Sequence, residues 1–142
     1  MKIVIDASVL IKWYVPEIHS DEAELLIDDR FDIHAPELII AEFGNILWKK
    51  CKLGELSSDE SLILADEMVK DDITFHTHVP LLRESLRQAL ATGQTIYDWT
   101  YLILAHSIEA KFVTADRRFF LAVRGTSYQS SIVWVENIQS LL

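Results

Sequence analysis

Three aspartates, Asp6, Asp98 and Asp116, stand where this chain should change from strand to helix or back. A fourth acid, Glu42, sits inside a helical stretch. Carboxylates gathered within a few ångströms raise one another's pKa and repel unless a cation lies among them. An oxygen-only donor set with room for water suits Mg²⁺ or Mn²⁺, whereas zinc would want His and Cys. The chemistry that uses such a site is attack of a metal-activated water on a phosphodiester, with metal ions stabilising the attacking and leaving oxygens.

The stretch from Thr95 to Phe119 brings two of these acids together by simple geometry. Tyr97, Tyr101, Leu102, Leu104, Ala105 and Ile108 recur at helical spacing and predict a helix from Tyr97 to Glu109 that lies on a sheet. From Asp98 to Glu109 the chain climbs roughly 16 Å, and an extended run from Lys111 to Asp116 returns about 16 Å. Asp98 and Asp116 should therefore meet at the carboxyl end of a strand, the edge where open parallel sheets place their ligands.

The remaining elements must deliver the other two acids. Lys2 to Ile5 is a β-branched run ending in Asp6, followed by Val9, Leu10, Trp13 and Tyr14 at helical intervals up to Pro16. Ser20 can cap a helix through Asp29 with Ala23, Leu26 and Ile27 inward. Phe31 to Ala35 reads as a strand, and Pro36 as the first residue of a helix reaching about Cys51. That helix carries Glu42 at the edge of a stripe made by Leu38, Ile39, Phe43, Ile46 and Leu47. Ser57 with Glu60 forms a capping-box pattern for a helix to about Lys70. Ile73 to His76 reads as a strand, Pro80 to Gly93 as a complete helix, Arg117 to Arg124 as a short helix, and Ser131 to Val135 as the last strand. Strands alternating with helices predict a single α/β/α sandwich over residues 1–142, with a mainly parallel, about five-stranded sheet.

Each acid also has a plain structural reading. Asp6 and Asp116 can cap the helices that follow them, Asp98 can be the third-position partner of a Thr95 cap, and Glu42 can be a solvated helix residue. Convergence of the three aspartates on one end of the sheet, with Glu42 as a candidate fourth, is what stability does not ask for. A phosphoacceptor signalling module would need a lysine at the end of a late strand, where this chain reads Thr114, Ala115, Asp116. A haloacid-dehalogenase-like phosphatase would need an aspartate two residues after Asp6, and that position is Ser8.

The segments IVIDASVLIKW, PELIIAEFGNILWK, IYDWTYLILA and FVTADRRF, in that order across nearly the whole chain, resemble the PIN-domain nucleases, and among them the VapC-type toxins of toxin–antitoxin pairs. The resemblance implies that Asp6, Glu42, Asp98 and Asp116 are metal-site acids of an endoribonuclease using Mg²⁺ or Mn²⁺. By the same match Ser8 and Thr114 are hydroxyl residues placed beside the acids, and Asn45 accompanies Glu42. It also implies a homodimer and a cognate antitoxin whose tail lies in the groove. A free-standing PIN ribonuclease and a module acting mainly by binding an antitoxin are the alternatives. Trp99 departs from the small residue usual beside the motif acid, and as an aromatic on an apolar helix it reads as core.

Other residues invite weighing. Arg117 and Arg118, directly after Asp116, are candidates for contact with substrate phosphate. Lys49, Lys50 and Lys52 could hold RNA phosphates, although a helix C-terminus favours cations by itself. His76 and His78 lack a third nearby ligand and read as surface residues. Trp13, Tyr14 and Trp48 read as core or a dimer seam, core being the usual place for aromatics at helical spacing.

The net charge of −9 excludes a protein that grips nucleic acid by a large basic surface, and leaves room for an acidic metal site beside a local basic patch. One cysteine, Cys51, cannot form an internal disulfide, and no charged-then-apolar leader or membrane-length apolar run is present, so a cytoplasmic setting is expected.

Overall fold

A computed structural model describes all residues 1–142. Five strands, β1 (Lys2–Ile5), β2 (Asp32–Pro36), β3 (Ile73–His76), β4 (Lys111–Thr114) and β5 (Ile132–Trp134), form one wholly parallel sheet in the order β3-β2-β1-β4-β5. β1 lies at the centre, and its residues Ile3, Val4 and Ile5 are fully buried, as expected of a strand covered on both faces. Ile5 pairs with Val113, so the chain leaves β1 and β4 side by side. Asp6 and Asp116 therefore exit the same edge of the sheet.

Seven helices flank the sheet: α1 (Ala7–Leu10), α2 (Ser20–Glu24), α3 (Leu38–Lys52), α4 (Ser58–Met68), α5 (Leu82–Thr92), α6 (Ile96–Ser107) and α7 (Arg117–Ala122). α6 packs across β2, β1 and β4, and α5 packs on α6. Every residue of α6 from Trp99 to Ala105 is buried, the pattern of a helix enclosed on all sides. Tyr97, in its opening turn, is exposed, and Trp99 and Ile103 take inward positions that helical spacing alone does not single out. Trp99 donates its indole N–H to Thr92 and stands edge-on to Phe119 and Tyr128, which makes it core.

Several boundaries differ from the sequence expectation for identifiable reasons. Pro36 ends β2 instead of opening α3, because the parallel ladder continues past it: Pro36 pairs with His76, and Glu37 N–H donates to the His76 carbonyl. The start of α3 is then capped from outside, the Leu38 N–H donating to His78 Nε2 at 2.8 Å. His76 is likewise engaged, its Nε2 lying 2.9 Å from Nδ1 of buried His34. Both histidines thus tie the β2–β3 edge together rather than lie free on the surface.

Ser20 is the first residue of α2 and not its cap. His19 holds that place in the left-handed region at φ 67°, while the Ser20 hydroxyl accepts from Glu17 N–H. α2 stops at Glu24, and Ile27 is consequently exposed. Trp48 is also exposed, with the Lys52 ammonium 4.8 Å above its ring. The Ser57–Glu60 capping box of α4 and the left-handed Gly93 that ends α5 are present as expected.

Candidate functional site

The acids are positioned by the starts of helices. Asp6 is the N-cap of α1: its Oδ1 accepts the Val9 N–H at 3.1 Å. Asp116 caps α7 in the same way, Oδ1 accepting the Phe119 N–H at 3.1 Å. Thr95 caps α6 by accepting the Asp98 N–H, and its hydroxyl donates to Asp98 Oδ2 at 3.0 Å. The capping roles are thus real for Asp6 and Asp116, and Thr95 is the cap beside Asp98. One oxygen of Asp98 and one of Asp116 form no hydrogen bond within the protein and are left for another partner.

Asp6 is the fixed point. Ser8 and Thr114 each donate a hydroxyl to it at 2.5 Å, one to each carboxylate oxygen. Those hydroxyls are themselves oriented by the loop after β4: Ala115 N–H donates to Ser8 Oγ, and Asp116 N–H to Thr114 Oγ1. The two residues expected beside the acids therefore lock the ends of β1 and β4 together.

Glu42 reaches the site through α3. Its Oε1 accepts the Tyr101 hydroxyl at 2.6 Å, and Tyr101 lies one helical turn after Asp98 on the same helix. Tyr101 is not evident from motif spacing as a site residue; its place three positions after Asp98 is the available signal. Asn45, one turn on from Glu42, is exposed and makes no hydrogen bond to the acids. Arg117 and Arg118 are both exposed and neither makes an ion pair, and the charge of Arg118 is felt at Asp98.

The electrostatics follow from burial. Asp6 is pushed up to about 7, by burial above all, with the Ser8, Thr114 and Val9 bonds opposing and the charge of Asp116 adding. Asp98 is pushed up to about 6, again by burial first, with the charges of Asp116 and Glu42 adding and Thr95 and Arg118 opposing. Burial also raises Glu42, against the bond from Tyr101. Each acid thus sits in the field of at least one other. They are neighbours rather than a closed cage, since no three His, Cys, Asp or Glu side chains in the chain already stand at ligating distance of one point.

Asp6, Glu42 and Asp98, whose charge burial disfavours, stand with Asp116, and the last three each keep one uncommitted oxygen; together they form a donor set suited to a hard divalent cation. The hydroxyls of Ser8 and Thr114 serve as orienting partners behind it.

Comparison with known proteins gives a consistent picture. A family model described as the PIN domain matches residues 3–125. The chain is 34% identical over 120 residues to a Pyrobaculum aerophilum protein named Ribonuclease VapC3, covering 83% of this chain and 92% of that protein. It is 32% identical over 127 residues to one named Exonuclease VapC9 from the same organism, covering 86% of each. The crystal structure of PAE2754 from Pyrobaculum aerophilum aligns with a TM-score of 0.74 at 28% identity, over 99% of this chain and 88% of that one. Mycobacterium tuberculosis VapC20, described as a sarcin–ricin loop cleaving toxin, aligns with a TM-score of 0.66 at 12% identity, over 84% and 94% of the two chains, and bears on the fold alone.

Proposed function

The chain belongs to the PIN-domain family, and on that premise we propose that it is a VapC-type ribonuclease toxin that hydrolyses RNA at the pocket of Asp6, Glu42, Asp98 and Asp116. The observation that carries the reading is the convergence of these acids at one sheet edge with Asp6 and Asp98 both raised, an arrangement that stability alone would avoid. A divalent cation, Mg²⁺ or Mn²⁺, supplies when bound an activated water and charge stabilisation on the phosphate oxygens.

The chain's own residues do the positioning. Asp98 and Asp116 offer their uncommitted oxygens to the cation, and Asp6, held by Ser8 and Thr114, completes the negative wall. Glu42 is kept aimed at the pocket by Tyr101. Arg118, whose charge is felt at Asp98, would meet the phosphate there. On this reading no side chain acts as a covalent nucleophile, and water attacking in line with the bond from phosphorus to the 3′-oxygen, which breaks, would leave a 5′-phosphate and a 3′-hydroxyl, as the likeness to the PIN-domain nucleases implies.

The partners follow from the same reading: an RNA substrate, a cognate antitoxin and a second copy of the chain. The homodimer is supported by α5, which leaves Leu82, Leu86 and Leu90 exposed in one row at four-residue spacing. No helix is long and apolar enough to cross a membrane. A reducing cytoplasm suits the single free thiol of Cys51.

The test is cleavage of linear and circular RNA by wild-type, Asp6→Asn and Asp98→Asn proteins in Mg²⁺ or Mn²⁺. Wild type should cut both forms, since an endonuclease needs no end, and the variants should cut neither. A variant as fast as wild type would falsify the assignment.

A further inference from the structure

Behind the acids lies a second feature, opposite in sign. An open cleft of about 410 Å³ is lined by Ser8 and Ala115, the residues that brace Asp6 and precede Asp116, and by Lys12, Lys49 and Lys50 with Glu17 and Glu55 among them. Lys12 follows Asp6 by six positions and belongs to the short 3-10 turn Ile11–Trp13 that extends α1. Its side chain is only 7% exposed, which is unusual for lysine.

Glu17 holds this group in place. Its Oε1 lies 3.2 Å from the Lys12 ammonium and its Oε2 2.9 Å from that of Lys50. Burial alone would raise Glu17, yet the bonds from Lys50 and Lys12 hold its carboxyl below the usual range, so the carboxylate stays charged between the two ammoniums. Lys50 makes a further contact to Glu55 at 3.4 Å. An ammonium has three donors: Lys12 spends one on Glu17, Lys50 spends two, and Lys49 makes no ion pair. Three cations against two carboxylates leave the cleft net positive in a chain of net charge −9.

A purely structural account, in which Glu17 pins the start of the chain to α3, explains only part of this. Buried ion pairs contribute little net stability compared with apolar packing. That account also gives no reason for an unpaired Lys49 lining the same cleft. α3 carries both Glu42 and these lysines, seven and eight residues further on, roughly 11 Å along the axis. One rigid helix thus spans from the acids to the cations.

We infer that the Lys12–Lys49–Lys50 cleft is an RNA phosphate subsite, which seats a backbone phosphate neighbouring the scissile one and so sets where the strand enters the acidic pocket. This rests on the ribonuclease reading. An acidic pocket repels a polyanion, and a fixed cationic contact beside it supplies the register that the acids cannot.

The experiment measures binding of a labelled single-stranded oligoribonucleotide against salt, with and without a 5′-phosphate, in an Asp98→Asn background, and steady-state cleavage in the otherwise wild-type chain. Lys12→Met and Lys49→Ala should each weaken binding about fivefold and reduce the slope of log K against log salt by about 0.7. KM should rise with kcat within about twofold, as for a group that holds the substrate equally before and during reaction. The loss should be the same with either 5′ end, because the contact is to an internal phosphate. A loss confined to the 5′-phosphorylated oligonucleotide would overturn the internal-phosphate assignment. Wild-type slope and KM in both variants would overturn the subsite while wild-type cleavage upheld the ribonuclease reading. If Lys12→Met does not fold, Lys49→Ala, at an exposed position, decides the matter by the same criteria. A wild-type protein that neither bound nor cleaved RNA would overturn both.

Discussion

The Tyr101 hydroxyl donates to Glu42 at 2.6 Å, so that an acid 59 positions earlier is fixed by the helix that bears Asp98. Burial, then the Glu42 charge, holds the phenol well above its usual range, and it remains a donor throughout the physiological span. Tyr101→Phe would remove the bond while keeping the ring stacked on Phe112. The expected cost is about 1 kcal/mol in stability and about tenfold in Mn²⁺ affinity and cleavage rate. Calorimetric metal titration checks it; unchanged affinity would mean that α3 places Glu42 unaided.

Because Asp6 is both a cap and an acid, its two roles can be separated by substitution. Asparagine caps as well as aspartate does, so Asp6→Asn should melt within about 1 kcal/mol of wild type while losing cleavage. Asp6→Ala should lose cleavage equally and a further 0.5–2 kcal/mol or so of stability. Equal melting of the two variants would show that the cap contributes nothing.

Asp6 at about 7 and Asp98 at about 6 lie above their unfolded value of 3.8, so the native state holds more protons than the unfolded chain across that interval. Their contribution to stability is complete below about pH 4 and is lost as pH rises through about 6 and then 7. In chelator, the melting temperature should therefore drop by several degrees between pH 5 and pH 8. With Mg²⁺ present the trend should weaken or reverse, since the cation binds the ionised acids. Paired melting series in EDTA and Mg²⁺ test this, and superimposable curves would contradict it.

Arg118 and Arg117 are adjacent in sequence and differ in reach. Removing the Arg118 charge should push Asp98 further up and shift the acidic limb of the pH–rate profile to higher pH, with about tenfold slower cleavage near pH 6. Arg117→Ala should stay within about twofold. Matching profiles for the two variants would remove the distinction.

The leucine row on α5 makes a claim about assembly. Leu86→Glu should leave the monomer's stability within about 0.5 kcal/mol, because the side chain is exposed, and should shift the protein to monomer in sedimentation. A dimer that survives the charge must use another face.

What is legible in the sequence is whatever local geometry controls. A β-branched run ending in Asp6, and a helix and strand of matched length joining Asp98 to Asp116, set those acids on one edge before any packing is known. Glu42 is harder to place, because its distance from the edge depends on the tilt of α3, and the residue that settles it, Tyr101, is identified only once β2 and β1 have been ordered in the sheet. The burial of Lys12 is hidden for the same reason: it depends on Glu17 meeting α3 across 33 positions. Pro36 misleads because proline suits a helix start as well as a strand end, and only the partner His76 decides between them.

The bond from Thr114 to Asp6 joins residues 108 positions apart. A chain growing from its first residue has only the local Ser8 and Val9 bonds for Asp6 until β4 exists, and Asp98 and Asp116 also arrive late. Products that end before β4 therefore lack Thr114 and Asp116, and on the proposed reading they would not cleave RNA. The order of the strands would thus delay a nuclease that must itself be translated on RNA until its last two strands are made.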